Sequence, residues 1–254
     1  MRPAFTLADP HSGTDYRIYT VAETGAAASP VPAVLFLDGD DQFDAAVKGY
    51  RRERETGHVP PLLLVGVGYG ASYTKPANKR VRDYTPTALA TETGSGGGDA
   101  FLAFLTNTLW PELTRRHALR EDVRGLAGHS LGSLLAVYAL LQKPGLTPAD
   151  RPFFNRILAS APSLWWDDRS ILKIAEEARR DRGSIPAHLY LCVGEEDTPS
   201  MTGDLALFQQ QLAAAPFPGL RVTSQRFPGR NHYNVLETAF AAGLRALFAT
   251  DQGQ

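Results

Sequence analysis

Hydrophobic and polar positions alternate along this chain in two rhythms. Short runs rich in β-branched and aromatic residues, at 5–7 and 16–21, flank the turn-forming Asp9-Pro10-His11-Ser12-Gly13, and this spacing predicts an antiparallel hairpin. The stretch 25–30 reads as a loop. Ala33-Val34-Leu35-Phe36-Leu37 and Pro61-Leu62-Leu63-Leu64-Val65-Gly66-Val67 are apolar almost without interruption, as strands covered on both faces must be, and residues 42–55 between them read as a helix. Further strands at 123–127, 156–160, 187–193 and 220–227 alternate with helical runs at 100–117, 131–142, 169–182, 203–214 and 233–248. The pattern predicts an α/β fold: a mostly parallel, doubly wound sheet of about eight strands with an antiparallel N-terminal edge and helices on both faces. There is no internal repeat and no second hydrophobic system, so residues 1–254 are expected to form one domain.

One segment breaks the rhythm. Residues 68–98 are rich in Gly, Thr, Pro and Asn and are too long for a connector, so they are expected to frame a site or move over one. Within them Thr93-Gly94-Ser95-Gly96-Gly97-Gly98 has the composition of a flexible tract or hinge. Asp99 then suits the N-cap or first turn of the helix that follows.

Composition narrows the classes of function. The hydrophobic fraction is 43% and the charged fraction 21%, the mix of a soluble globular protein. Lys plus Arg number 26 against 27 Asp plus Glu, and the resulting net charge of -1 offers no field to draw in nucleic acid. Arg51, Arg52 and Arg54 are interrupted by Glu53 and Glu55 and read as a solvated helix face. The single cysteine, Cys192, excludes an internal disulfide and sits in an apolar strand as a buried thiol. No run of about 18 apolar residues occurs and the N-terminus lacks the apolar stretch of an export signal, so a cytoplasmic protein without a membrane span is expected.

The chemistry centres on Gly128-His129-Ser130-Leu131-Gly132. This G-x-S-x-G run follows an apolar strand and opens an amphipathic helix, the setting in which a sharp turn presents a serine nucleophile. A serine hydroxyl needs a base to take its proton during attack. Of the six histidines, His232 lies in a Gly-containing loop between the last strand and last helix, where the chain order Ser, acid, His puts the base. His11, His58, His117 and His188 read as structural, and His129 as locked beside the serine and pointing elsewhere. The orienting acid should follow the strand 187–193, where Glu195, Glu196 and Asp197 are candidates; Asp197, three residues beyond Gly194, is preferred and Glu195 is next. The oxyanion donors are expected to be the backbone N–H groups of Leu131 and of Asp40, in Asp38-Gly39-Asp40-Asp41 after the strand ending at Leu37. That acidic cluster shows too few oxygen ligands at defined spacing for Ca²⁺ or Mg²⁺, and there is no dinucleotide fingerprint, P-loop or zinc spacing, so neither cofactor nor metal is expected.

With these motifs placed, the chain resembles the esterase D and putative-esterase branch of the α/β-hydrolases, particularly the trilactone-siderophore esterases of the enterobactin-hydrolase kind. The resemblance spans most of the chain. It is carried by Leu37-Asp38-Gly39, Arg82-Asp83-Tyr84-Thr85-Pro86, Ala127-Gly128-His129-Ser130-Leu131-Gly132, Ala161-Pro162-Ser163-Leu164-Trp165-Trp166-Asp167 and the His232 loop. It implies that Arg82 meets an anionic or carbonyl-rich substrate and that Trp165 packs against the acyl or aryl part. Ser133 departs from it, standing where many relatives carry another glycine. The expected function is hydrolysis of a small-molecule carboxylic ester through an acyl-enzyme, on a short acyl ester or a siderophore-type lactone. The alternatives are acyl transfer by the same triad and a noncatalytic hydrolase-fold binding protein.

Overall fold

A computed structural model of the chain describes residues 1–22, 29–142 and 151–249; most of the predicted loop at 25–30 lies outside them. The hairpin forms as β1 (Phe5–Ala8) and β2 (Asp15–Val21), with Asp9 accepting from the N–H groups of His11 and Ser12 in the turn. The other strands are β3 (Val31–Phe36), β4 (Leu63–Gly68), β5 (Leu119–His129), β6 (Arg156–Ser160), β7 (Ala187–Gly194) and β8 (Leu220–Phe227). They build one eight-stranded sheet in the order β1-β2-β4-β3-β5-β6-β7-β8. Only the β1/β2 and β2/β4 pairings are antiparallel.

The two-residue period of a strand sends alternate side chains to opposite faces. In β3, Val34 and Phe36 pack against α1 (Gly39–Glu55) and α8 (Leu236–Phe248), while Ala33 and Leu35 face the other layer. That layer holds α3 (Gly98–Phe104), α4 (Trp110–Arg116), α5 (Leu131–Leu141), α6 (Trp166–Asp181) and α7 (Pro199–Ala214); α2 (Arg80–Asp83) is a single turn in the long segment after β4. Among the described residues no helix is long and apolar enough to cross a membrane.

Among the elements whose bounds differ from the sequence reading, three do so for local reasons. The helical run at 100–117 is interrupted by a π-helical turn, Leu105–Leu109, so α3 and α4 meet through a widened turn. The helix expected from 203 begins at Pro199, because the Thr198 side chain accepts from Met201 N–H and proline fits the first turn. In α6, Asp167, Asp168 and Arg169 have left-handed backbone, so regular helix starts about where the 3.6-residue period does.

The chain leaves β3 for β4 on one side and then crosses to β5 on the other, which opens a crevice at the C-terminal ends of β3 and β5. The residues following β3, β5, β6, β7 and β8 all emerge along that edge.

Candidate active site

Ser130 links β5 to α5 with φ 59° and ψ -123°, a conformation that L-residues seldom adopt. A Cβ built on Gly128 would stand 2.3 Å from the carbonyl carbon of Gly132, so the turn admits no side chain there. The backbone is pinned on both sides: Ser130 N–H donates to the Ser160 carbonyl at 3.0 Å, and the Ser130 carbonyl accepts from Ser133, Leu134 and Ser163 N–H. Ser133, the residue departing from the resemblance, places its hydroxyl 2.7 Å from the carbonyl oxygens of Gly128 and Ser160, tying the elbow to β6. Ser130 Oγ lies 3.3 Å from Ser163 Oγ, in a cleft of about 430 Å³ whose walls include Gln42, Tyr73, Arg80, His232 and Tyr233.

His232 and Asp197 come from loops after β8 and β7 that are stitched together. Glu195 N–H donates to the Phe227 carbonyl and Glu196 N–H to the Arg230 carbonyl. The approach requires Gly194, where a Cβ would lie 2.2 Å from Arg230 O. This brings Asp197 Oδ2 to 2.9 Å from His232 Nδ1, while Oδ1 accepts from Thr198 N–H at 2.7 Å. The Asp197 carboxylate is fully buried, whereas Glu195 and Glu196 are exposed on the same turn.

The turns after β3 and β5 bring a pair of helix N-termini together. Asp38 has left-handed backbone and its carbonyl takes Asp41 and Gln42 N–H, so Asp40 N–H sits in the first turn of α1, outside the helical ladder. Leu131, the first residue of α5, likewise keeps its N–H outside the helical ladder, one position nearer the cap than Asp40. The two turns are close, since a Cβ on Gly132 would meet Leu37 Cβ at 3.3 Å.

The acidic cluster here clamps the segment after β4. Asp40 accepts from Tyr19 Oη at 2.6 Å and from Tyr69 and Gly70 N–H, and Asp41 accepts from Tyr73 N–H. Asp38, buried, makes two 3.0 Å bonds with the Arg80 guanidinium and also accepts through its carboxylate from Gln42. Burial pushes the Asp38 carboxyl up and Arg80 pulls it back; burial opposes the Arg80 charge, yet Asp38 holds that guanidinium above its ordinary range. Among the described residues no group of three His, Cys, Asp or Glu is arranged to hold a metal ion.

Neither of the two expected substrate contacts is among the residues that line this cleft. Arg82 pairs with Asp83 at 2.6 Å and donates to Thr14 and Tyr16, facing the β1–β2 hairpin; alternate residues of a short helix point in different directions, and it is Arg80 that lines the cleft. Trp165 is exposed at the start of α6, and its neighbour Trp166 is buried and donates to the Thr87 carbonyl. The Thr93–Gly98 tract is tied down: Gly97 and Gly98 N–H donate to the Arg82 and Thr85 carbonyls, and Gly96 N–H to Thr85 Oγ1. His129 points toward the base: its ring is buried, with its centroid 4.4 Å from that of His232. Sequence reasoning missed Arg80 and His129. Arg80 carried a readable signal as the one other arginine in the turn, but His129 carried none beyond adjacency.

Comparison with known proteins sets this geometry in a family. The family model described as "Putative esterase" matches residues 14–247. The ferri-bacillibactin esterase BesA of Bacillus subtilis is 27% identical over 257 residues, covering 92% of this chain and 86% of that protein. A siderophore triacetylfusarinine C esterase of Aspergillus fumigatus is 33% identical over 152 residues, 58% of this chain and 49% of the relative, so that match spans about half the relative's length. The crystal structure of the BES protein from Bacillus cereus superposes with a TM-score of 0.82 at 24% identity, covering 97% of this chain and 94% of that one. The matched span, nearly the whole of the described sheet, shows that the chain belongs to the putative esterase family, carboxylic ester hydrolases with the α/β-hydrolase fold.

Proposed function

We propose that this protein hydrolyses lactone esters of the siderophore type, and short acyl esters, through an acyl-enzyme on Ser130. Ser130 Oγ turns from Ser163 toward His232, which takes the proton as Oγ attacks the ester carbonyl carbon. Asp197 holds the His232 tautomer by accepting from Nδ1–H and stabilises the imidazolium that forms. Leu131 and Asp40 N–H donate to the oxyanion, where helix N-termini add favourable potential. On collapse, His232 returns the proton to the leaving alkoxide; it then activates water, which releases the acid and restores Ser130.

The observation that carries this reading is the 2.9 Å bond between buried Asp197 and His232 in the cleft that also exposes Ser130 on its strained elbow. The siderophore substrate class is supported by the names of BesA and of the fungal relative. The test is side-by-side assay of the protein and Ser130→Ala on p-nitrophenyl acetate, butyrate and octanoate, then on a trilactone siderophore. Turnover that the variant loses supports the reading. Equal turnover in both rejects Ser130 as nucleophile, and absence of turnover on the trilactone alone rejects the siderophore assignment.

A further inference from the structure

Behind the His232 ring lies a second imidazole that the reaction above does not use. His129, the last residue of β5, is 6% exposed, and its ring plane meets that of His232 at 44°. Its Nδ1 lies 3.1 Å from Ser160 Oγ on the adjacent β6, and Ser160 is also the polar neighbour of the Cys192 thiol on β7. His129 is therefore rooted in the sheet on one side and meets the ring of His232 on the other. The other ring in contact with His232 is Tyr233, edge-on at 5.6 Å but 87% exposed, and so a weak restraint.

The hydrogen bond to Asp197 fixes one atom of His232 and leaves the ring free to tilt about that bond. A rigid face pressed against the ring removes the tilt. We propose that His129 is a positioning residue for His232: anchored through Ser160, its imidazole braces the His232 ring so that Nε2 stays aimed at Ser130. This rests on the assignment of Ser130 and His232 made above. The brace must also stay uncharged while an imidazolium forms beside it. Burial first, then the proximity of His232 and Arg80, pushes His129 down to about 3, against a polar contact with the His232 backbone. A neutral ring at that position adds no repulsion across the working range of pH.

The experiment compares full-length parent, His129→Ala, His129→Phe, His129→Gln, Ser160→Ala and Ser130→Ala on p-nitrophenyl butyrate, with melting temperature and the downfield proton signal of the His232 Nδ1–H bond recorded for each. Misaiming a catalytic group by an ångström costs about a hundredfold. The expected result is that His129→Ala lowers kcat by about 10- to 100-fold with KM within about twofold and broadens the downfield signal. His129→Phe, which restores a ring face, should return kcat to within about fivefold of the parent; His129→Gln, which restores only a polar reach to Ser160, should not. A folded His129→Ala with kcat within twofold of the parent overturns the proposal, as does rescue by Gln and not by Phe. If the Ala variant does not fold, the Phe and Gln pair decides; if neither of those folds, Ser160→Ala decides, a severalfold loss of kcat at unchanged KM supporting the brace and parental kcat overturning it. Retained turnover in Ser130→Ala would instead bring down the triad reading, and with it this one; loss in Ser130→Ala with parental kcat in every His129 variant brings down this one alone.

Discussion

Asp197 gives one carboxylate oxygen to His232 Nδ1 at 2.9 Å and the other to Thr198 N–H at 2.7 Å, so the acid is held at both ends. Exposed Glu195 on the same turn has no such seat. Asp197→Asn should preserve shape but favour the wrong imidazole tautomer, lowering kcat by about a thousand- to ten-thousandfold. Glu195→Gln should leave kcat within about twofold. Steady-state kinetics of the two variants check this, and the reverse ranking would move the acid to Glu195.

Two glycines stand at equally close approaches with unequal freedom around them. A Cβ on Gly128 runs into the first turn of α5, whereas one on Gly194 runs into the Arg230 carbonyl of a surface loop. Gly128→Ala should cost about 3 kcal/mol or more of stability, because strand and helix are both fixed. Gly194→Ala should cost less in stability but displace His232, lowering kcat by about a hundredfold. Urea melts paired with kinetics separate the two outcomes.

Partly exposed Arg80 and buried Asp38 make an ion pair on the cleft wall. Arg80→Met strands the carboxylate and should destabilise the protein by about 3–5 kcal/mol. The double variant Asp38→Asn, Arg80→Met should recover part of that loss, because the uncompensated charge is then gone. Chemical denaturation of all three variants gives the coupling directly.

Arg82 is engaged with Asp83, Thr14 and Tyr16, on the side of the β1–β2 hairpin. Arg82→Ala should lower the melting temperature by several degrees, since the buried Asp83 loses a partner, and should leave KM within about twofold. A large rise in KM without loss of stability would return Arg82 to the binding surface.

Stability should fall in acid through buried histidines. His129 and His188 are pushed down to about 3 and about 4, chiefly by burial, from an ordinary value of 6.5. Below pH 6.5 the unfolded chain binds protons that the folded chain refuses, so the stabilisation present above that pH is lost as pH falls toward the folded values. For His129 alone the loss by pH 4 is about 3 kcal/mol. Urea unfolding between pH 7 and pH 4 should show this slope, shallower by up to about one proton in His129→Gln.

The order of elements was legible because strands buried on both faces and amphipathic helices leave different periods, and β6 and β8 fall on the predicted residues. The nucleophile turn was legible because its two glycines have a local cause. Asp197 could be preferred from its spacing, but its seat depends on Thr198 and on the Gly194–Arg230 approach, which join segments far apart in the chain. The cleft wall was least legible. Which of Arg80 and Arg82 faces it depends on the rotation of a four-residue helix, and the contact between His129 and His232 spans 103 positions, with no trace in either local sequence.

The double duty of Asp40 limits how this enzyme can diversify. Its backbone N–H is proposed to stabilise the developing charge, while its carboxylate holds Tyr19, Tyr69 and Gly70 and thereby the root of the long segment over the cleft. A transplanted segment that fits a new ester but offers Asp40 no partners would loosen the oxyanion turn along with the wall. Exchange of substrate preference should therefore be paid in turnover unless the root at residues 69 and 70 travels unchanged, so the freely exchangeable part of the segment begins beyond it.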